Sequence, residues 1–173
     1  LAGDALLTLA FEWLAASQAP APYPPNQLSL ELALAAGSRG VIGGQVEDIA
    51  GTGRSPTAAR LEYIHFHKTG LLIRAAVRIG AIAAGAGGKD LAAITEYGES
   101  TGLAFQIADD ILNAVSSPEL LGKPVGSDQA HGKTTWVAVH GMEASRKEAA
   151  RLAALAEQSL AGLRGNAAPL LAL

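Results

Sequence analysis

The chain has 173 residues, 49% of them hydrophobic, a net charge of −3 and no cysteine. That is enough apolar material for one domain with a sizeable core, and it excludes disulfides, thiolate metal sites and a broad basic surface for nucleic acid. No apolar run reaches the ~18 to 20 residues of a membrane-spanning helix before Gly, Arg or Glu interrupts it, and the lack of cysteine fits a reducing, cytoplasmic setting.

Residues 1–17 carry Leu6, Leu7, Leu9, Ala10 and Phe11 at helical spacing, with no capping residue in front. Pro20, Pro22, Pro24 and Pro25 end this helix, because proline lacks a donor and forces its predecessor into extended geometry. A second helix is expected over about residues 27–50, capped by Asn26. Gly37, Gly40, Gly43 and Gly44 lie inside it, each costing up to about 1 kcal/mol against alanine, which points to close approach of a neighbouring helix or a ligand. A third helix starts at Ser55 and Pro56 and runs in one register through Lys68 and Thr69 to about residue 85.

Beyond the turn at Gly85, Gly87 and Gly88, Asp90 is the expected N-cap of a fourth helix that runs to about residue 115, ended by Ser116, Ser117 and Pro118. Residues 119–133, with Gly122, Pro124, Gly126 and Gly132, read as an irregular polar stretch holding Lys123, Asp128 and Lys133. Helices over about 134–140 and 143–163 follow, the latter with Glu143, Arg146, Lys147, Glu148 and Arg151 on a solvated face. With no alternating β-branched run, the chain reads as all-α, one domain over 1–173. Leu1 opens mid-pattern and Pro169 starts an apolar face that is not completed. The sequence is therefore expected to be a fragment, with any targeting peptide outside it and a plastid location left open.

Chemistry concentrates in the fourth helix. Gln106, Asp109, Asp110 and Asn113 fall at i, i+3, i+4 and i+7, read as one stripe facing one cavity, among Phe105, Ile107, Ile111 and Leu112. Ionised carboxylates beside a core need a cation. Carboxylate oxygens suit Mg²⁺, which takes one or two of them and fills its shell with water and phosphate oxygens. Lys68 and Thr69, followed by Gly70, offer donors to a phosphate with room for close approach, although a lysine snorkelling to solvent accounts for Lys68 taken alone. Gln45 and Asp48 share a helical face and can cap a turn or pair with Arg54. Lys123 and Lys133 can fold over a bound diphosphate or form a plain charged loop. His65 and His67, two apart, face different ways and make no metal pair. Together these residues read as a magnesium and diphosphate site built on helices.

The strings Gly3-Asp4-Ala5-Leu6-Leu7, Gly43-Gly44-Gln45 with Asp48, His67-Lys68-Thr69-Gly70, Phe105-Gln106 leading to Asp109-Asp110, Gly122-Lys123, Asp128 and Gly132-Lys133-Thr134-Thr135 arrive in one order. In that order the chain resembles the C-terminal two-thirds of the all-trans isoprenyl diphosphate synthases of the farnesyl and geranylgeranyl type. The resemblance implies a helical prenyltransferase bundle around a deep cavity, where two aspartate-rich motifs hold three Mg²⁺ on an allylic diphosphate, and it implies a homodimer. By the same likeness Asp109 ligates metal directly, while Asp110 and Asn113 act on the metal's waters. Lys68, Lys123 and Lys133 bind the diphosphate. Lys68, Thr69 and Gln106 serve the reacting end, and Gln45 and Asp48 line the cavity.

The implied reaction is ionisation of the allylic diphosphate, attack by the double bond of isopentenyl diphosphate and loss of a proton, with farnesyl ranked ahead of geranylgeranyl product. Two departures qualify it. Asn113 stands where the family has a third aspartate, so weaker magnesium binding is expected. The first aspartate motif and the isopentenyl diphosphate site precede Leu1 in the family, so the chain alone is expected not to turn over. The alternative is a catalytically weak regulatory subunit working through a heteromer.

Overall fold

Alanine, leucine and isoleucine at helical spacing build the elements, and glycine and proline end them. The computed structural model of the protein describes residues 1–51, 53, 57–115 and 135–172. The all-α expectation holds, with no strand among the described residues. In chain order they form α1 (Ala2–Ala15), α2 (Gln27–Ala36), α3 (Val41–Gly51), α4 (Ala58–His65), a π-helical turn (Phe66–Gly70), α5 (Leu71–Ala83), α6 (Gly88–Val115), α7 (Trp136–His140), α8 (Met142–Ser159), a 3₁₀ turn (Leu160–Gly162) and α9 (Ala168–Leu171). None of the described helices is long and apolar enough to cross a membrane.

The structure corrects several boundaries. The helix expected over 27–50 breaks in two, because Gly37 leaves the helical region at φ −79°, ψ −165°. The chain then folds back so tightly that a Cβ on Gly40 would lie 1.9 Å from the Ala35 carbonyl oxygen. Asn26 precedes α2 but makes no side-chain cap bond. The helix expected from Ser55 starts at Ala58, where Thr57 Oγ1 accepts from the Arg60 amide at 3.2 Å; Ser55 and Pro56 lie outside the described residues. Asp90 sits within the first turn of α6 rather than capping it, and its carboxylate takes Arg164 Nη2 at 2.9 Å. The cap of α7 is Thr135, whose Oγ1 accepts from the Ala138 amide.

The 28-residue α6, about 42 Å long, is the axis on which the other helices pack. On one side Ile107 meets Leu61 of α4, Trp136 of α7 and Leu152 of α8. Earlier in the same helix Ile94 and Tyr97 pack on Ala156 and Leu160. Ile82 of α5 joins Leu28 of α2 and Ala19, while Leu71 and Ala75 meet Ala35. Ile82 and Ile107 are fully buried, each contributing about 1.5–3 kcal/mol. By contrast α1 buries no residue, and its Leu6 and Trp13 are 66% and 67% exposed.

Candidate functional site

Lys68 and Thr69 do not sit in a regular helix. They lie in the π-helical turn, where the Leu71 amide reaches back five residues to the Phe66 carbonyl. Such turns widen the backbone and push side chains outward, and they recur at functional sites. Two glycines on other helices make room for it. A Cβ on Gly44 would stand 2.4 Å from the Lys68 amide nitrogen, and a Cβ on Gly102 would stand 2.6 Å from Gly70 Cα. Any side chain at either position would collide with backbone, so α3 and α6 grip the turn from two directions. Close approach, expected of the glycines in 37–44, is confirmed at Gly44, while Gly37 and Gly40 serve the reversal instead.

The grip aims Lys68 at α3. Its Nζ lies 2.6 Å from Asp48 Oδ2, in a pair whose side chains are 31% and 19% exposed. Asp48 is thus joined to Lys68, whereas Arg54, the other candidate partner, lies outside the described residues. Gln45, Thr69 and Gln106 are half-buried. His67 turns away, its Nδ1 2.9 Å from the Tyr63 carbonyl and its ring stacked on Tyr63 at 3.7 Å.

The stripe on α6 divides, because adjacent helical residues point about 100° apart. Asp109 is exposed, and the Asn113 amide donates to its Oδ2 at 3.2 Å. Asp110 is buried on a different side. Its Oδ2 accepts from the Trp136 amide at 2.5 Å and lies 3.5 Å from His65 Nε2. His65 stacks on Trp136, with ring centroids 5.8 Å apart. Burial pushes the His65 imidazole down to about 4, with Asp48 opposing the fall and Lys68 adding to it, so the ring is neutral at neutral pH. Neither His65 nor Trp136 was singled out in the sequence as part of the site. Nothing local in the sequence signals this contact, because it joins α4, α6 and α7.

Among the described residues no three His, Asp or Glu side chains converge on a metal position. One exposed carboxylate, Asp109, faces solvent, with the Asn113 amide nitrogen donating to one of its oxygens. That donor set fits Mg²⁺ held jointly with a diphosphate, since phosphate oxygens and water supply the remaining ligands. Lys123 and Lys133 lie outside the described residues.

The described residues form an all-helical domain with a lysine on a π-helical turn and an aspartate pair on a long central helix. The polyprenyl synthetase family matches residues 1–163, and the chain belongs to that family. Farnesyl diphosphate synthase of Escherichia coli (strain K12) is 48% identical over 163 residues, 92% of this chain and 54% of that protein. Geranylgeranyl diphosphate synthase of Cyanophora paradoxa is 39% identical over 175 residues, 100% of this chain and 58% of that protein. The structure of a geranyltransferase from Helicobacter pylori complexed with magnesium and isoprenyl diphosphate matches with a TM-score of 0.76 at 30% identity, over 98% of this chain and 55% of that one. The chain spans about half the length of the curated relatives it matches.

Proposed function

We propose that this chain carries the diphosphate-ionising half of a short-chain trans-prenyltransferase, which condenses isopentenyl diphosphate with an allylic diphosphate to farnesyl or geranylgeranyl diphosphate. The observation that carries the reading is Lys68 on its π-helical turn, gripped by Gly44 and Gly102 and aimed at the Asp48 carboxylate. A lysine so held is preorganised to exchange one anion for another. An arriving diphosphate draws the ammonium from Asp48, and no backbone movement is needed.

In this reading Asp109 holds Mg²⁺, three of which are expected in a complete site, with Asp110 and Asn113 supporting it. Bound Mg²⁺ supplies charge neutralisation for the departing diphosphate. Lys68 donates to that diphosphate, as do Lys123 and Lys133. Thr69 and Gln106 place oxygens beside the allylic carbons where positive charge develops, and Gln45 lines the same wall. The apolar surroundings keep water from the cation. The second substrate then attacks through its double bond, and the diphosphate takes the proton that is lost. A homodimer is part of the same proposal.

Calorimetric titration of the chain with inorganic pyrophosphate tests it. Binding is expected only with magnesium present, and Lys68→Ala is expected to weaken it about tenfold, in keeping with one lost charge-assisted contact. Binding indifferent to both magnesium and Lys68 would refute the assignment. Chromatography of products from the full-length protein then decides chain length.

A further inference from the structure

The buried His65 beside Asp110 has no part in the reaction just described, yet it sits where the aspartate pair is made rigid. Three elements meet at one carboxylate oxygen. Asp110 Oδ2, from α6, takes the Trp136 amide at the start of α7 and faces His65 Nε2 at the end of α4. Asp110 is 8% exposed and His65 6%. The other ring nitrogen, Nδ1, is buried and has no hydrogen-bond partner among the described residues. A buried N–H without an acceptor costs more than a bare lone pair, so the proton belongs on Nε2, toward Asp110. Trp136 closes the arrangement by stacking on the same imidazole.

We propose that His65 is a positioning residue for the aspartate pair: with the Trp136 amide it clamps Asp110, and the clamped carboxylate fixes the turn of α6 on which Asp109 is presented. The proposal rests on the magnesium-diphosphate reading of Asp109 and adds to it a support built from α4 and α7. A carboxylate met from two sides keeps one orientation, and the helix turn carrying it is held against fraying. Asp109, one residue earlier, therefore meets its ligand at a fixed height and angle.

The test uses two readouts on the 173-residue chain. The first is the magnesium concentration that half-saturates pyrophosphate binding. His65→Leu, which keeps volume and loses the donor, is expected to raise it about tenfold, whereas His65→Gln, which keeps an N–H at the Nε2 position, is expected to stay within about twofold of the parent. Equal behaviour of the two variants, whether both unaffected or both impaired, overturns the proposal.

The second readout is the emission of Trp136 without magnesium, in a Trp13→Phe background. Asp110→Ala and His65→Leu are expected to shift it to longer wavelength and expose it to iodide, and Asp110→Asn and His65→Gln are not. An indole unmoved by Asp110→Ala and His65→Leu overturns the clamp. If the parent chain binds no magnesium pyrophosphate, the functional reading fails by itself, and the tryptophan readout still decides for or against the clamp.

Discussion

At Asn113 a single atom separates this chain from the aspartate expected of its family. The amide now donates to Asp109 across one helical turn, a contact between i and i+4. Asn113→Asp would replace that donor with a second negative charge, and like charges at this spacing cost about 0.2–0.5 kcal/mol on an open helix. Two opposite effects are therefore expected from one substitution. Without magnesium the variant melts slightly below the parent; with magnesium and pyrophosphate it binds the metal more tightly and melts above it. Thermal unfolding with and without the ion reads both signs, and a variant that is unaffected by magnesium would show that Asp109 does not hold it. The sequence made this residue easy to find, since Asp109, Asp110 and Asn113 stand together in five letters of helix. It did not show that Asp110 turns inward, because that depends on which side of α6 receives α7, a contact 26 residues distant.

Among the elements, α2, α5 and α6 are joined by one arginine. Arg78 Nε and Nη2 hold both oxygens of Glu31 at 2.8 and 2.7 Å, while Nη1 reaches Thr95 Oγ1. Hydrogen bonds from Arg78, the largest influence, keep the Glu31 carboxyl below its ordinary value despite partial burial. A carboxyl depressed in the fold adds stability above its unfolded value, and this stability drains away as pH falls through the folded value. Glu31→Gln is expected to cost about 2 kcal/mol near neutrality and to flatten the acid limb of the stability curve. Urea unfolding at a series of pH values measures both, and an unchanged acid limb would remove Glu31 from the account.

Helix type and approximate order were readable because apolar spacing and proline punctuation are local. The break at Gly37 and the π-helical turn at Phe66–Gly70 were not. The turn answers to partners far along the chain, Gly44 and Gly102, while the break turns on how tightly Gly40 folds back on Ala35, which helical spacing alone does not reveal. The glycines were visible as a cost, but what they made room for was not.

Across the whole molecule protection is uneven. The core runs along α6, from Ile94 to Ile107, whereas α1 lies at its edge, with Leu14 packed against the Ile82 cluster and its carbonyl accepting from Ser29 Oγ. Amide hydrogen exchange should therefore be slowest in the middle of α6 and fastest in the described residues of α1, with the difference exceeding what helix length alone gives. Comparable exchange in the two helices would mean that the exposed apolar face of α1 is covered in solution. The π-helical turn has a further consequence at this scale. It absorbs about one residue of rotation, roughly 100°, between α4 and α5. Deleting one amino acid from that stretch would let an ordinary α-helix run through, with Leu61 and Ala75 still seated in their places. The bulge that carries the lysine would then flatten, leaving a sound scaffold in which Lys68 no longer faces Asp48.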